Sequence, residues 1–168
     1  TAFALKHNKQ VSFVAGIESD DKAYEKSQKK LDQVYKIDLN YSNKIAETID
    51  EKFDCILLLD ILEHLIHPQE LLLELDQILD KKGTVIISLP NIRHYSVLLD
   101  LIFKDKWEYK SEGILDKTHL RFFTLKTMIT LIEESGYKIL SYKSNKQYNK
   151  KFKYLNMITF NKLGVFSD

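Results

Sequence analysis

The chain has 168 residues, 44% of them hydrophobic and 29% charged, which is the composition of a globular domain and excludes a disordered chain. Lys plus Arg number 25 against 24 Asp plus Glu, a net charge of +1, so nothing electrostatic points to nucleic acid or an anionic membrane as partner.

In chain order, residues 1–7 read as a helix with no start signal before Thr1, which is not Met, and a fragment is expected. Residues 11–17 are long enough for a strand and too short for a helix. Residues 20–31 follow as a polar helix and residues 34–37 as a short strand. Residues 53–59 form the next strand, continuously apolar from Cys55 to Leu59. Pro68 opens a helix predicted over residues 68–79, where Leu71, Leu72, Leu75, Ile78 and Leu79 share a face. Lys81, Lys82 and Gly83 make its stop signal. Residues 84–89 give a strand that is again continuously apolar at Val85–Ile87, the mark of parallel strands covered on both faces.

A second amphipathic helix is predicted over residues 125–135, capped by Thr124 and ended by Gly136. Residues 137–142 read as a weaker strand, 143–153 as a Lys-rich solvated connection, and 154–166 as an apolar tail packing back on the body. Alternating helices and strands predict an α/β fold with a mostly parallel sheet.

The single cysteine, Cys55, cannot form an internal disulfide and fits a reducing, cytoplasmic compartment. No signal peptide opens the chain and no apolar run is long enough to span a bilayer, so no membrane is expected. The Asn40-Tyr41-Ser42 sequon is therefore expected to stay unmodified.

Ligands of open parallel sheets bind beyond the carboxyl ends of the strands. The first strand runs into Glu18-Ser19-Asp20, where a carboxylate either accepts from ribose hydroxyls or starts the next helix. The second ends at Asp38-Leu39, either an adenine contact or a turn. The third ends in a dense polar cluster, Asp60-Ile61-Leu62-Glu63-His64-Leu65-Ile66-His67. His64 and His67 are spaced as metal ligands, but no third ligand has convincing spacing, and no metal is expected.

The fourth strand leads to Pro90-Asn91-Ile92-Arg93-His94, and then to a stretch holding Trp107, Asp116, His119 and Arg121. Arg93 and Arg121 are the only arginines, each next to or two from a histidine. Each either binds substrate through its planar fork or braces a buried carboxylate such as Asp116. Phe122 and Phe123 read as core.

The succession GIESD, DL, FDCILLLDILEHLIHP, GTVIISLPN, GILDKTHLRFFT and SGY resembles class I S-adenosylmethionine-dependent methyltransferases, nearest the type 11/type 23 group, over nearly the whole chain. The resemblance implies a Rossmann-like sheet with helices on both faces, one domain over residues 1–168, and S-adenosylmethionine as cofactor. It assigns Glu18 with Ser19 to the ribose, Asp38 and Leu39 to adenine, Asp60 and Ile61 to the methionine end, and Glu63 and His64 to the border of the active site. Residues 92–123 correspond to the acceptor site and lid, with Asn91, Arg93, Trp107 and Arg121 as acceptor contacts.

The implied reaction is methyl transfer to a small-molecule or saccharide acceptor, an O-methylation of the kind met in polysaccharide biosynthesis. His119, then His94, then His64 are the candidate bases, since imidazole suits proton transfer near neutral pH. The family's D-x-G-C-G-x-G loop has no match, because Gly16, Gly83, Gly113, Gly136 and Gly164 lie far apart. The chain also stops before the family's last strand, so a fragment cut at both ends is expected. The competing readings are a non-catalytic partner-binding module on a decayed fold of this type, and an NAD(P)-dependent oxidoreductase. The latter lacks its G-x-G-x-x-G and gives the LEH and HLRFFT segments no role.

Overall fold

A computed structural model of the chain describes residues 10–41 and 45–143. The expected helix over residues 1–7, the sequon's Ser42, and the connection and tail after residue 143 lie outside these. Described elements run β1 (Ala15–Ile17), α1 (Asp21–Gln28), β2 (Gln33–Tyr35), α2 (Ile45–Thr48), β3 (Phe53–Leu59), a 3-10 turn (Leu62–His64), α3 (Pro68–Leu75), β4 (Leu79–Ser88), α4 (Tyr95–Lys104) and α5 (Leu125–Glu134). Among the described residues no helix is long and apolar enough to cross a membrane.

The chain divides into two compact units, Thr1–Ile56 with Glu70–Thr84 and Leu57–Gln69 with Val85–Asp168. In the first, β1 and β2 pair in parallel, Ala15 opposite Gln33 and Ile17 opposite Tyr35, with α1 as the crossover. Asp20 starts α1 because its carboxylate accepts from the Ala23 amide. The core here includes Val34, Ile37, Ile45, Leu71, Leu72 and Leu75. Glu74 is buried with them, and its Oε1 accepts from the Ile45 amide that opens α2.

β3 and β4 form the second pair. Phe53 N donates to Ile78 O and Asp60 N to Ser88 O, so both strands advance in the same direction. Coverage is less even than the apolar runs predict, since Leu58 is buried whereas Cys55 and Ile86 are exposed.

Several boundaries move. Strand structure begins at Ala15 rather than Val11, because the Val14 amide donates to the Asp32 side chain instead of to a ladder. α3 ends at Leu75, and the stop signal at Lys81–Gly83 lies inside β4. A Cβ on Gly83 would sit 2.9 Å from the Asp80 carbonyl oxygen, so glycine serves a close backbone approach there. Residues 137–142 form no strand.

In the second unit α5 is built as its sequence predicts. Thr124 Oγ1 accepts from the Thr127 amide and Thr127 Oγ1 from the Thr124 amide, a reciprocal cap. Gly136 then takes the left-handed φ of 85° that ends the helix. α4, which the sequence reading leaves within a long lid, is a ten-residue helix capped by a histidine. The buried apolar residues described in this unit are Leu58, Leu62, Leu65, Val97, Leu115 and Phe123.

Candidate functional site

At the end of β1 the Glu18 Oε1 accepts from the amides of Ser19 and Asp20, at 3.0 and 3.2 Å. The carboxylate is thereby fixed at the strand end, and Oε2 takes no part in this turn. Asp20 is the helix cap, so the two acids have separate tasks. At the end of β2, Asp38 behaves as a turn residue: its Oδ1 accepts from the Asn40 amide and its carbonyl from the Tyr41 amide. Leu39 beside it is half-buried.

In the second unit, β3 ends on Asp60, which holds a left-handed φ of 54° without being glycine. Two bonds hold it there: Asp60 N donates to Ser88 O, and Ser88 Oγ donates to Asp60 Oδ1 at 2.8 Å. The chain then passes half-buried Ile61 and makes the 3-10 turn Leu62–His64. That turn is clamped from the far side, because the Glu63 carbonyl accepts from both the Leu120 and the Arg121 amides, at 2.8 and 3.0 Å.

The clamp brings together residues far apart in sequence. Ligand atoms of Glu63, His64 and His119 all lie within 4.8 Å of one another. The imidazoles of His64 and His119 meet edge to face, centroids 4.7 Å apart. Glu63 is 1% exposed, and neither of its carboxylate oxygens has a hydrogen-bond partner. Burial pushes its pKa up against the nearness of its own backbone amide, and the charge of Asp60 pushes up against the pull of His64 and His119.

Each imidazole is oriented through Nδ1. His64 Nδ1 lies 3.2 Å from the Thr118 carbonyl, and His119 Nδ1 lies 3.0 Å from the Ile114 carbonyl. A carbonyl only accepts, so Nδ1 is the donor in each contact, and in a neutral ring the lone pair is then on Nε2. Behind His64, Thr118 donates to Asp116 Oδ1 from both its hydroxyl and its amide, and these bonds hold the Asp116 carboxyl below its usual range.

His67 is not part of this group: the partner that His64 lacked in the sequence is His119, not the histidine three residues on. Nor does Arg121 brace Asp116. Its Nη2 donates to the Ile66 carbonyl at 2.5 Å, tying the arginine to the segment before α3.

The remaining candidates surround the loop after β4. Asn91 bridges to Phe123, and its Oδ1 accepts from the Arg93 amide, so its side chain shapes the turn that carries half-buried Arg93. His94 caps α4, its Nδ1 accepting from Ser96 N and lying 2.8 Å from Ser96 Oγ. Burial lowers its pKa, which favours the neutral ring. The cap thus occupies the lone pair that a base would need.

Trp107 and Tyr109 both pack on Phe122, which also meets the His119 ring edge-on. Phe123 is buried as expected of core. A cleft of about 260 Å³ lies among His94, Val97, Asp100, Lys106, Lys110 and Ile114. The Ile114 carbonyl is the one that orients His119.

The sequence resemblance puts Glu63 at the border of the active site and gives no sign that it is the buried centre of a histidine pair. The only signal was a charged residue inside the apolar ILEHL run. Thr118 and Asp116 carried no role in that reading beyond the discarded arginine contact.

Residues 4–142 match the family model described as a methyltransferase domain. No curated protein matches the chain. A crystal structure of a SAM-dependent methyltransferase from Thermotoga maritima, described as a possible histamine N-methyltransferase, is similar with a TM-score of 0.56 at 22% identity, over 82% of this chain and 58% of that one. A SAM-dependent methyltransferase from Archaeoglobus fulgidus gives 0.59 at 15% identity, over 90% of this chain and 69% of that one. The chain thus spans under two thirds of the length of the Thermotoga protein, and at these identities the two likenesses show a shared Rossmann-like fold.

Proposed function

We propose that this chain, which belongs to the methyltransferase domain family, takes S-adenosylmethionine as cofactor and methylates an oxygen of a small-molecule or saccharide acceptor. The observation that carries the oxygen assignment is the Glu63–His64–His119 constellation, a buried carboxylate beside two imidazoles oriented by carbonyl contacts at Nδ1.

Each unit by itself offers groups suited to a part of the cofactor. Glu18, held by its own following amides with Ser19 beside it, is the kind of fixed acid that accepts from a ribose diol. Asp38 and Leu39 offer a carboxylate and an apolar side chain for a purine. Asp60 and Ile61 follow β3, with Asp60 exposed in its left-handed conformation and Ile61 half-buried.

When bound, the cofactor supplies an electrophilic methyl group on a sulfonium. The chain's residues do the rest. The acceptor is positioned in line by Asn91, Arg93, Trp107 and Arg121 in and beside the 92–123 lid, with the arginines suited to a phosphate or carboxylate on it. As the S–CH₃ bond breaks and the O–CH₃ bond forms, the hydroxyl proton must leave, and the constellation is where the oxygen is activated. His119 is its foremost member and His64 its second, while the capping role of His94 removes it from the set. A role in polysaccharide biosynthesis and a cytoplasmic location belong to the same reading.

The test is transfer of a labelled methyl group from S-adenosylmethionine to saccharides and other hydroxyl compounds. Turnover of at least one acceptor is expected. His119→Ala should lower kcat about 100-fold or more and leave cofactor affinity unchanged. Product methylated only on nitrogen would overturn the oxygen assignment, and no transfer to any acceptor would overturn the reading.

A further inference from the structure

We infer that Glu63, His64 and His119 together bind one divalent transition cation, a site that acts on the acceptor side of the proposed reaction. Three independent observations converge. The three ligand atoms lie within 4.8 Å of one another, close enough to share one ion. Both oxygens of Glu63 are buried without a hydrogen-bond partner, although the residue is 1% exposed. A buried carboxylate left without partners is costly, and an ion resolves that cost. Both imidazoles present Nδ1 to a backbone carbonyl, which leaves Nε2 as the ring nitrogen available to an ion. That outer contact is the one by which proteins orient metal-binding histidines.

An ion pair between Glu63 and a protonated imidazole is the competing explanation. It would place a hydrogen bond on one of the Glu63 oxygens, and neither has one. One carboxylate and two imidazoles make a mixed oxygen and nitrogen set, suited to Zn²⁺, Mn²⁺ or Co²⁺ rather than to Ca²⁺. Three protein ligands leave coordination positions open, as in catalytic rather than structural sites. A hydroxyl oxygen of the acceptor is the ligand class that fits them. The part of His64 and His119 is then to hold the cation, with the acceptor's proton leaving to solvent. The binding claim stands by itself, and only this role for the cation rests on the methyl-transfer reading.

The test is titration of Co²⁺ into the chelator-treated protein, followed by visible d–d absorption and by calorimetry. One saturable equivalent per chain is expected, with Kd raised at least about tenfold in Glu63→Gln and in His119→Ala. Glu63→Gln preserves size, so it carries the test even where His119→Ala fails to fold by circular dichroism. Absence of saturable binding, or binding unchanged in Glu63→Gln, overturns the site. Co²⁺ bound as expected without any methyl transfer keeps the site and overturns the function proposed above. Methyl transfer at full rate by protein that binds no cation does the reverse.

Discussion

His64 and His119 pack edge to face, with ring centroids 4.7 Å apart and planes at 74°, though one follows β3 and the other lies in the loop before α5. The contact is imposed by backbone. Two amides at Leu120 and Arg121 converge on the Glu63 carbonyl, and Arg121 Nη2 reaches on to Ile66. Such a double clamp fixes both rings before any ligand arrives, which is what a reactive or ion-binding site requires.

Thr118 is the support that can be removed without touching a ligand. Its hydroxyl donates to Asp116 and lies 3.2 Å from His64 Nδ1, while its carbonyl also faces that nitrogen. Thr118→Val is expected to weaken Co²⁺ binding about tenfold with little change in Tm. Unchanged affinity in calorimetry would reduce Thr118 to a loop residue.

His94 is predicted to be a helix cap and not a base. His94→Ala should destabilise the chain by about 1 kcal/mol, as loss of an N-cap does, and His94→Asn should restore most of it. Denaturant unfolding measures both. Equal stability of the two variants, with methyl transfer lost in both, would return His94 to the catalytic set.

Glu74 tests the first unit's core. Its Oε1 accepts from Ile45 N at 2.8 Å while Oε2 has no partner. Glu74→Gln keeps an acceptor for the amide and replaces a buried carboxyl group by a neutral amide, so unfolding free energy should hold or rise. Glu74→Ala orphans the amide and should cost about 1–3 kcal/mol. A Glu74→Gln loss as large as that of Glu74→Ala would contradict this account.

Alkaline stability should report Tyr35. Burial, then its 2.6 Å hydrogen bond to Glu51, pushes the phenol from near 10 up to about 12. The fold therefore favours the neutral phenol. Its contribution is whole below pH 10, falls as pH rises from 10, and is lost by about 12. Thermal midpoints across that window should drop less steeply in Tyr35→Phe than in the wild type. Parallel curves would show that Tyr35 is not the group responsible.

Much of this was legible in the sequence, for identifiable reasons. β3 follows from the apolar run Cys55–Leu59, and α5 from the Thr124 cap, the i, i+3, i+4, i+7 spacing of Leu125, Met128, Ile129 and Ile132, and Gly136. Strand ends rich in acids located Glu18, Asp38 and Asp60. What could not be read was pairing across the chain. Nothing local says that Glu63 O will collect the amides of Leu120 and Arg121, and only that contact brings His119 to His64. α4 was hidden because its cap is histidine, a residue without the usual helix-start preference. Gly83 misled because a close strand contact and a helix stop use the same residue.

Calorimetric titration of S-adenosylhomocysteine, with protein expressed from the complete reading frame, tests the central claim most directly. One site per chain is predicted, with affinity reduced by loss of charge-assisted bonds of about 1.5–3 kcal/mol in Glu18→Ala. Absence of binding, or binding to which Glu18→Ala makes no difference, would contradict it.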